Sequence, residues 1–248
     1  ALLNYWMMAI FILILSLFSF LVCDGINGVT YFKHADGTFS LSRVYFTYDK
    51  AMSDNLSFTF QTDVGRLVDP NEEGLYQAFL KKAQLDWVTD ENVKISMGMI
   101  GMNMFNVQEK TWGNRFVAKS AMDINEYSSS ADLGFAISKR IGPIAASLLI
   151  TNGEGYKNSQ SDENTKKSVQ LLYGENRLDK NDGYNVGIVH SNLCDNNHDC
   201  STVSGLFGGW SGNKIIAGAE YNIKESDTSS NLASIYATYL LSANSSMF

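Results

Sequence analysis

The chain has 248 residues, a formal net charge of -7 and a pI near 4.9, which excludes a basic nucleic-acid-binding face as its organising feature. Hydrophobic residues make up 45% and the mean hydropathy is only -0.11, which excludes a bundle of membrane-spanning helices. A membrane-spanning strand barrel stays open, because only every second strand residue must be apolar.

Residues 1–24 form a separate segment. No charge occurs from Ala1 to Cys23, and residues 5–22 are almost wholly apolar. A secretory signal peptide is the preferred reading, because everything downstream looks exported. The rival reading is an apolar N-terminal helix that anchors the chain, since the run is just long enough to span. Residues 25–248 then form one β-domain.

From residue 39 to residue 241, segments of about ten residues alternate apolar and polar and break at turns. Val44, Phe46 and Tyr48 share one face of the first clear strand, with Arg43, Tyr45 and Thr47 on the other. Leu56, Phe58 and Phe60 likewise oppose Ser57, Thr59, Gln61 and Asp63. Residues 67–76 follow as a longer connection, with Asp69, Asn71, Glu72 and Glu73 as a weak candidate cation loop. In the strand over 77–87, Phe79, Ala83, Leu85 and Trp87 read as apolar, against Leu80, Lys82, Gln84 and Asp86. Lys81 falls on the apolar face and is expected to snorkel at the rim.

The strand over 93–103 carries Lys94 inward, and the longest connection, 104–129, follows it. Further strands are expected over 130–140, with Asp132 inward, 143–150, 168–176, with Gln170, 183–192, 202–210, 214–224, with Glu220, and 231–241. A weaker strand near 29–33 brings the count to about twelve. The expected rhythm is short turns after even strands and longer connections after strands 3, 5, 7 and 9. That asymmetry, with Tyr48, Trp87, Tyr173, Tyr184 and Tyr221 near strand ends, is what an up-and-down transmembrane barrel in a bacterial outer membrane requires. A soluble β-sandwich also alternates, and a soluble β-domain held by the N-terminal helix is the second alternative.

Residues 43–48, 56–63 and 78–87, with the passages 99–112 and 128–134, resemble the bacterial outer-membrane porins of the phosphate-selective porin O/P type. The resemblance implies a sixteen-stranded channel that assembles as a homotrimer among outer-membrane lipid and lipopolysaccharide. About twelve strands are visible, so the chain reads as a C-terminally truncated porin rather than a closed twelve-stranded barrel. Residues 243–248 read as a turn followed by the start of another strand.

The expected function is passive diffusion of small hydrophilic solutes or ions; a structural or adhesive barrel is the alternative. Glu109, Lys110, Arg115, Lys119, Asp123 and Glu126 form the candidate constriction loop, with acids opposing bases across the solute path. Arg43, Gln61, Asp63, Lys82, Asp86, Lys94, Asp132, Gln170 and Glu220 are the expected lumen-facing set. No ladder of basic residues is visible along the strands, so the sequence supports no strong phosphate preference. Cys194 and Cys200 suit a disulfide in an exported protein; two free thiols, or a metal site with His198, are the alternatives. His34, His190 and His198 are scattered, and neither a catalytic constellation nor a cofactor motif is visible.

Overall fold

A computed structural model describes residues 25–35, 37–66, 76–160, 162–194, 199–242 and 245–247. The N-terminal apolar segment, the acidic loop around Asp69 and the metal alternative at His198 lie outside them. Among the described residues no helix is long and apolar enough to cross a membrane.

The chain forms one antiparallel sheet in which each strand pairs with its sequence neighbours. Its strands are β1 (Ile26–Ala35), β2 (Thr38–Ala51), β3 (Leu56–Arg66), β4 (Tyr76–Val88), β5 (Val93–Gly101), β6 (Ala131–Ile141) and β7 (Ile144–Thr151). These are followed by β8 (Lys166–Gly174), β9 (Gly183–Cys194), β10 (Cys200–Gly212), β11 (Ile215–Glu225), β12 (Ser229–Ser242) and the short β13 (Ser245–Met247). The segment near residue 29 is thus a full strand of 10 residues rather than a weak one. Aromatic and β-branched residues at period two favour pleated pairing over helix throughout. Two short helices, α1 (Asn106–Trp112) and α2 (Ala121–Ile124), lie in the 102–130 connection.

The connections depart from a strict short–long rhythm. The β8–β9 connection, 175–182, is longer than the β9–β10 connection, 195–199, and the β11–β12 connection spans only 226–228. Leu178 explains the first case: it is buried and packs back beneath Gly209 of β10, so these residues form a folded plug rather than a tight turn. The β10–β11 turn falls at Asn213 and Lys214, one residue later than the composition suggests. Both residues adopt positive φ, as a two-residue hairpin matched to strand twist requires.

The sheet is polar inside and apolar outside. Leu148, Val169, Leu171, Val186, Ile188 and Leu206 point outward and remain exposed, Ile188 at 53%. Ser168, Ser191, Asn222, Asp132 and Asp63 point inward and are almost fully buried. Tyr48, Trp87, Tyr173, Tyr184, Trp210 and Tyr239 occupy strand ends at the rim of the β2–β3, β4–β5, β8–β9 and β10–β11 turns. Tyr221 sits further from that rim, opposite Leu206.

A β-bulge overturns one expected face assignment. Gln61 pairs with Lys82 and Thr62 with Leu80, which leaves Lys81 as an extra residue in β4. A bulge places two successive side chains on one face, so Lys81 and Lys82 both point inward. Alternation reverses beyond that point: Leu80 faces out, while Phe79 turns in against Tyr156. Lys81 is therefore not a snorkelling residue of the apolar face. Its ammonium lies 4.2 Å from the Tyr45 ring centroid on the inside.

Candidate functional site: an inserted loop between two cavities

The 102–130 connection folds against the inner face of the sheet. Met104, Phe105, Val107, Met122 and Tyr127 form one core with Leu172, Val189, Val203 and Phe207 on β8, β9 and β10. Each such side chain contributes roughly 1.5–3 kcal/mol when fully withdrawn from water. Polar contacts fix the rest. Asn114 donates to Thr238 on β12 at 2.8 Å, and the Tyr236 hydroxyl donates to the Gln108 carbonyl at 3.1 Å. The Gln170 amide donates to Asn103 O and, at 2.9 Å, to Asn106 Oδ1. Gly113 ends α1 in a left-handed cap, donating to the Glu109 carbonyl at 3.0 Å. Side-chain hydrogen bonds thus tie the loop to β7, β8, β11 and β12, while its charged edge shares a cavity with Arg43 of β2 and Lys81 of β4.

Two cavities of about 420 and 400 Å³ lie on opposite sides of this loop and share no lining residue. The first opens among the 126–130 and 153–158 segments, at the rim of the long connections. Glu109, Arg115, Lys119, Asp123 and Glu126 border it, as do Arg43 and Lys81. The second opens toward the short-turn rim, and Lys94, Lys110 and Gln170 border it. Five of the six candidate loop residues therefore meet at one cavity and Lys110 at the other.

The loop charges are largely spent on each other. Arg115 lies 3.3 Å from Glu109 and 3.4 Å from Asp123, and Lys119 lies 3.2 Å from Asp123. The expected opposition of acids and bases across a solute path is thus mostly internal to the loop. Burial lifts the Glu109 carboxyl above the ordinary carboxylate range, against the pull of Lys81. Burial lowers the Lys110 ammonium, and the nearby Arg177 cation adds to that.

The strand residues take several roles. Arg43 pairs with the fully buried Asp63, and the Tyr156 hydroxyl donates to Asp63 at 3.1 Å. Gln61 donates to Thr47 at 2.7 Å within the wall. Asp86 accepts from Lys94 at 3.3 Å and from Gln84 at 2.8 Å. Lys82 lies beside Gly101, its ammonium 3.3 Å from where a Cβ there would stand. Asp132 accepts from the Leu133 and Gly153 backbone N–H groups at 2.9 and 2.7 Å, which anchors the 152–165 connection. Glu220 accepts from Asn222 at 2.8 Å and is buried. Gln61, Asp63, Lys82, Asp86, Asp132 and Glu220 border neither cavity. Cys194 and Cys200 are joined by a disulfide at the paired ends of β9 and β10.

Sequence reasoning placed Lys81 on the wrong face and did not single out Tyr156, Lys157, Lys166 or Arg140. Lys157 borders the first cavity with its ammonium 5.3 Å from the Phe79 ring centroid, and Lys166 donates to Ser128 at 3.4 Å. The signal that can find Lys81 is the Lys81-Lys82 pair itself, since two adjacent charges cannot both be accommodated by strict alternation.

The described residues thus form an antiparallel sheet with an apolar outer face and a loop folded against its more polar inner face. The chain is similar in fold to Salmonella typhi OmpF in complex with daunomycin, with TM-score 0.46 and 10% identity over 88% of this chain and 85% of that one. Vibrio cholerae OmpT lacking loop L8 gives TM-score 0.42 and 13% identity over 88% and 87%. An engineered Rh. blastica porin gives TM-score 0.42 and 12% identity over 87% of both chains. No protein-family model matches the chain, and no curated protein matches it in sequence.

Proposed function

We propose that the protein is a porin of a bacterial outer membrane, through which small hydrophilic solutes and ions diffuse passively. The observation that carries this reading is the inverted polarity of the sheet. Its outward side chains are large and apolar, while many of its inward ones are polar or charged, and two open cavities lie on the inner face beside the apolar core that the loop forms there. A water-filled barrel in lipid needs that arrangement, and the rim aromatics fit its interfacial girdle. In this reading the apolar belt meets acyl chains, the rims meet headgroups and lipopolysaccharide, and the 102–130 loop narrows the passage. A soluble β-domain is disfavoured, since it would leave a continuous exposed apolar face. The test is conductance in planar bilayers from the full chain folded in detergent. Stable ohmic steps are expected; a folded, heat-modifiable sample that gives none would leave the structural or adhesive reading.

A further inference from the structure

The outer face of the sheet carries a hollow. A groove of about 480 Å³ crosses β6, β7, β8 and β9, where it is lined by Ala146 with Ile137, Leu148, Val169, Leu171 and Ile188. Register explains it. Lys139, Ala146, Leu171 and Ile188 stand in one row across the four strands, and Ile137, Leu148, Val169 and His190 in the next. Residues two apart on a strand share a face, so both rows point outward. Ala146 offers a single methyl where Leu148 and Leu171 beside it carry four-carbon side chains, and the surface dips there. The rows span three strand spacings, about 14 Å.

Of the outward side chains that line the groove, two are polar, and they stand at opposite ends: Lys139 on β6 and His190 on β9. His190 is engaged, its Nδ1 lying 2.9 Å from Ser204 Oγ on β10. The Lys139 ammonium has no ion pair and no hydrogen bond among the described residues. Lys139 lies two residues before Ile141, where β6 ends at the short-turn rim. The Tyr173 ring, 6.2 Å from that of Tyr184, stands on β8 one row nearer that rim. Such aromatics mark the level of lipid headgroups, and a lysine stem can carry its ammonium along apolar surface to that level.

We propose that this groove holds one phospholipid, with an acyl chain against Ala146 and the phosphate on the Lys139 ammonium. The proposal rests on the membrane reading and names one lipid within its belt. An apolar slot that ends at a single unpartnered cation complements a molecule with a long apolar chain and an anionic head. A convex wall touches a neighbouring acyl chain along one side, whereas the groove touches it along several, so this lipid stays while its neighbours exchange. The short-turn rim faces the periplasm in the barrel reading, which selects a phospholipid over the lipopolysaccharide of the opposite leaflet. Leu172 and Val189, the inward neighbours of Leu171 and Ile188, belong to the core that seats the loop. The bound lipid therefore braces the wall on which the loop rests.

The experiment is native mass spectrometry of the full chain folded in detergent and titrated with dioleoyl phosphatidylglycerol, with dioleoylglycerol and lipid A as comparators. One phosphatidylglycerol per chain is expected to be retained. Ala146→Phe, which fills the groove, is expected to lose it. Lys139→Gln is expected to weaken phosphatidylglycerol on the order of fivefold and to leave dioleoylglycerol unchanged. The two variants alter different outward positions, so either keeps the test available should the other not fold. Retention equal in wild type and both variants, no discrete one-lipid species, or preferential retention of lipid A would overturn the proposal. A lipid-free oligomer that Ala146→Phe dissociates would assign the groove to a second copy and overturn it as well. Conductance of the same sample separates the two readings. Ohmic steps without a retained lipid would sink this site and leave the porin reading, whereas a retained lipid without steps would support the site and count against the channel. Neither steps nor a retained lipid would remove both.

Discussion

At the residue scale, the Arg43–Asp63–Tyr156 contact is the most exacting feature of the inner wall. Asp63 has no exposed surface, so its charge is sustained by Arg43 on the neighbouring strand and by the Tyr156 hydroxyl reaching from the β7–β8 connection. Removing one partner strands a buried charge, which costs about 3–5 kcal/mol, whereas removing both charges avoids most of that. Arg43→Ala is therefore expected to lower the urea midpoint far more than the Arg43→Ala, Asp63→Ala double variant does. Tyr156→Phe removes the hydrogen bond donated to Asp63 and the one accepted from Arg43 at 3.3 Å, and is expected to cost about 2 kcal/mol. Glu109 supplies a pH signature. Burial raises its carboxyl above the ordinary range, so its linked contribution to stability is present below the unfolded value of about 4.3 and is lost as pH rises through the raised folded value. Glu109→Gln is thus expected to be more stable than wild type at neutral pH, with Arg115 retaining Asp123 at 3.4 Å. The advantage should vanish on acidification toward pH 4, where both side chains are neutral, and unfolding midpoints across that window check it.

At the element scale, the bulge in β4 decides which side chains line the inner face. Deleting Lys81 would leave Gln61 opposite Lys82 and Thr62 opposite Leu80 in a regular ladder, with Phe79, Gln84 and Asp86 still inward. The deletion is therefore expected to fold and to keep heat-modifiable migration, while losing the contact of an ammonium with Tyr45. Deleting Ala83 instead would bring Lys82 beside Gln84, two inward residues in succession below the bulge, and is expected to disrupt pairing with β5. The strands themselves were legible because outward apolar and inward polar residues impose a period of two from β2 to β12. The bulge was not, because a one-residue slip changes faces without changing composition. The loop around α1 announced itself by length alone. Its inward direction depends on Met104, Phe105 and Met122 finding Leu172, Val203 and Phe207, a match between segments far apart in sequence.

At the scale of the whole molecule, the membrane reading turns on which face of the sheet tolerates charge. Ile188 lies midway along β9, points outward and packs beside Leu171 and Leu206 across its two neighbouring strands. If that face meets lipid, Ile188→Arg places a guanidinium near the middle of the apolar belt. The cost for an arginine at the midplane of such a barrel is about 2–4 kcal/mol. If the face met water instead, the same substitution at a half-exposed site would fall within about 0.5 kcal/mol of neutral and would improve solubility. The inner face gives the reverse expectation. Lys110→Gln, at the edge of the second cavity, changes charge in a wet space and should leave folding into lipid almost unaltered. Urea titration of the protein folded into phospholipid vesicles measures both variants on one scale. A large loss for Ile188→Arg with little loss for Lys110→Gln fits an apolar exterior around a water-filled interior. A neutral Ile188→Arg would count against lipid on that face and against the porin reading with it.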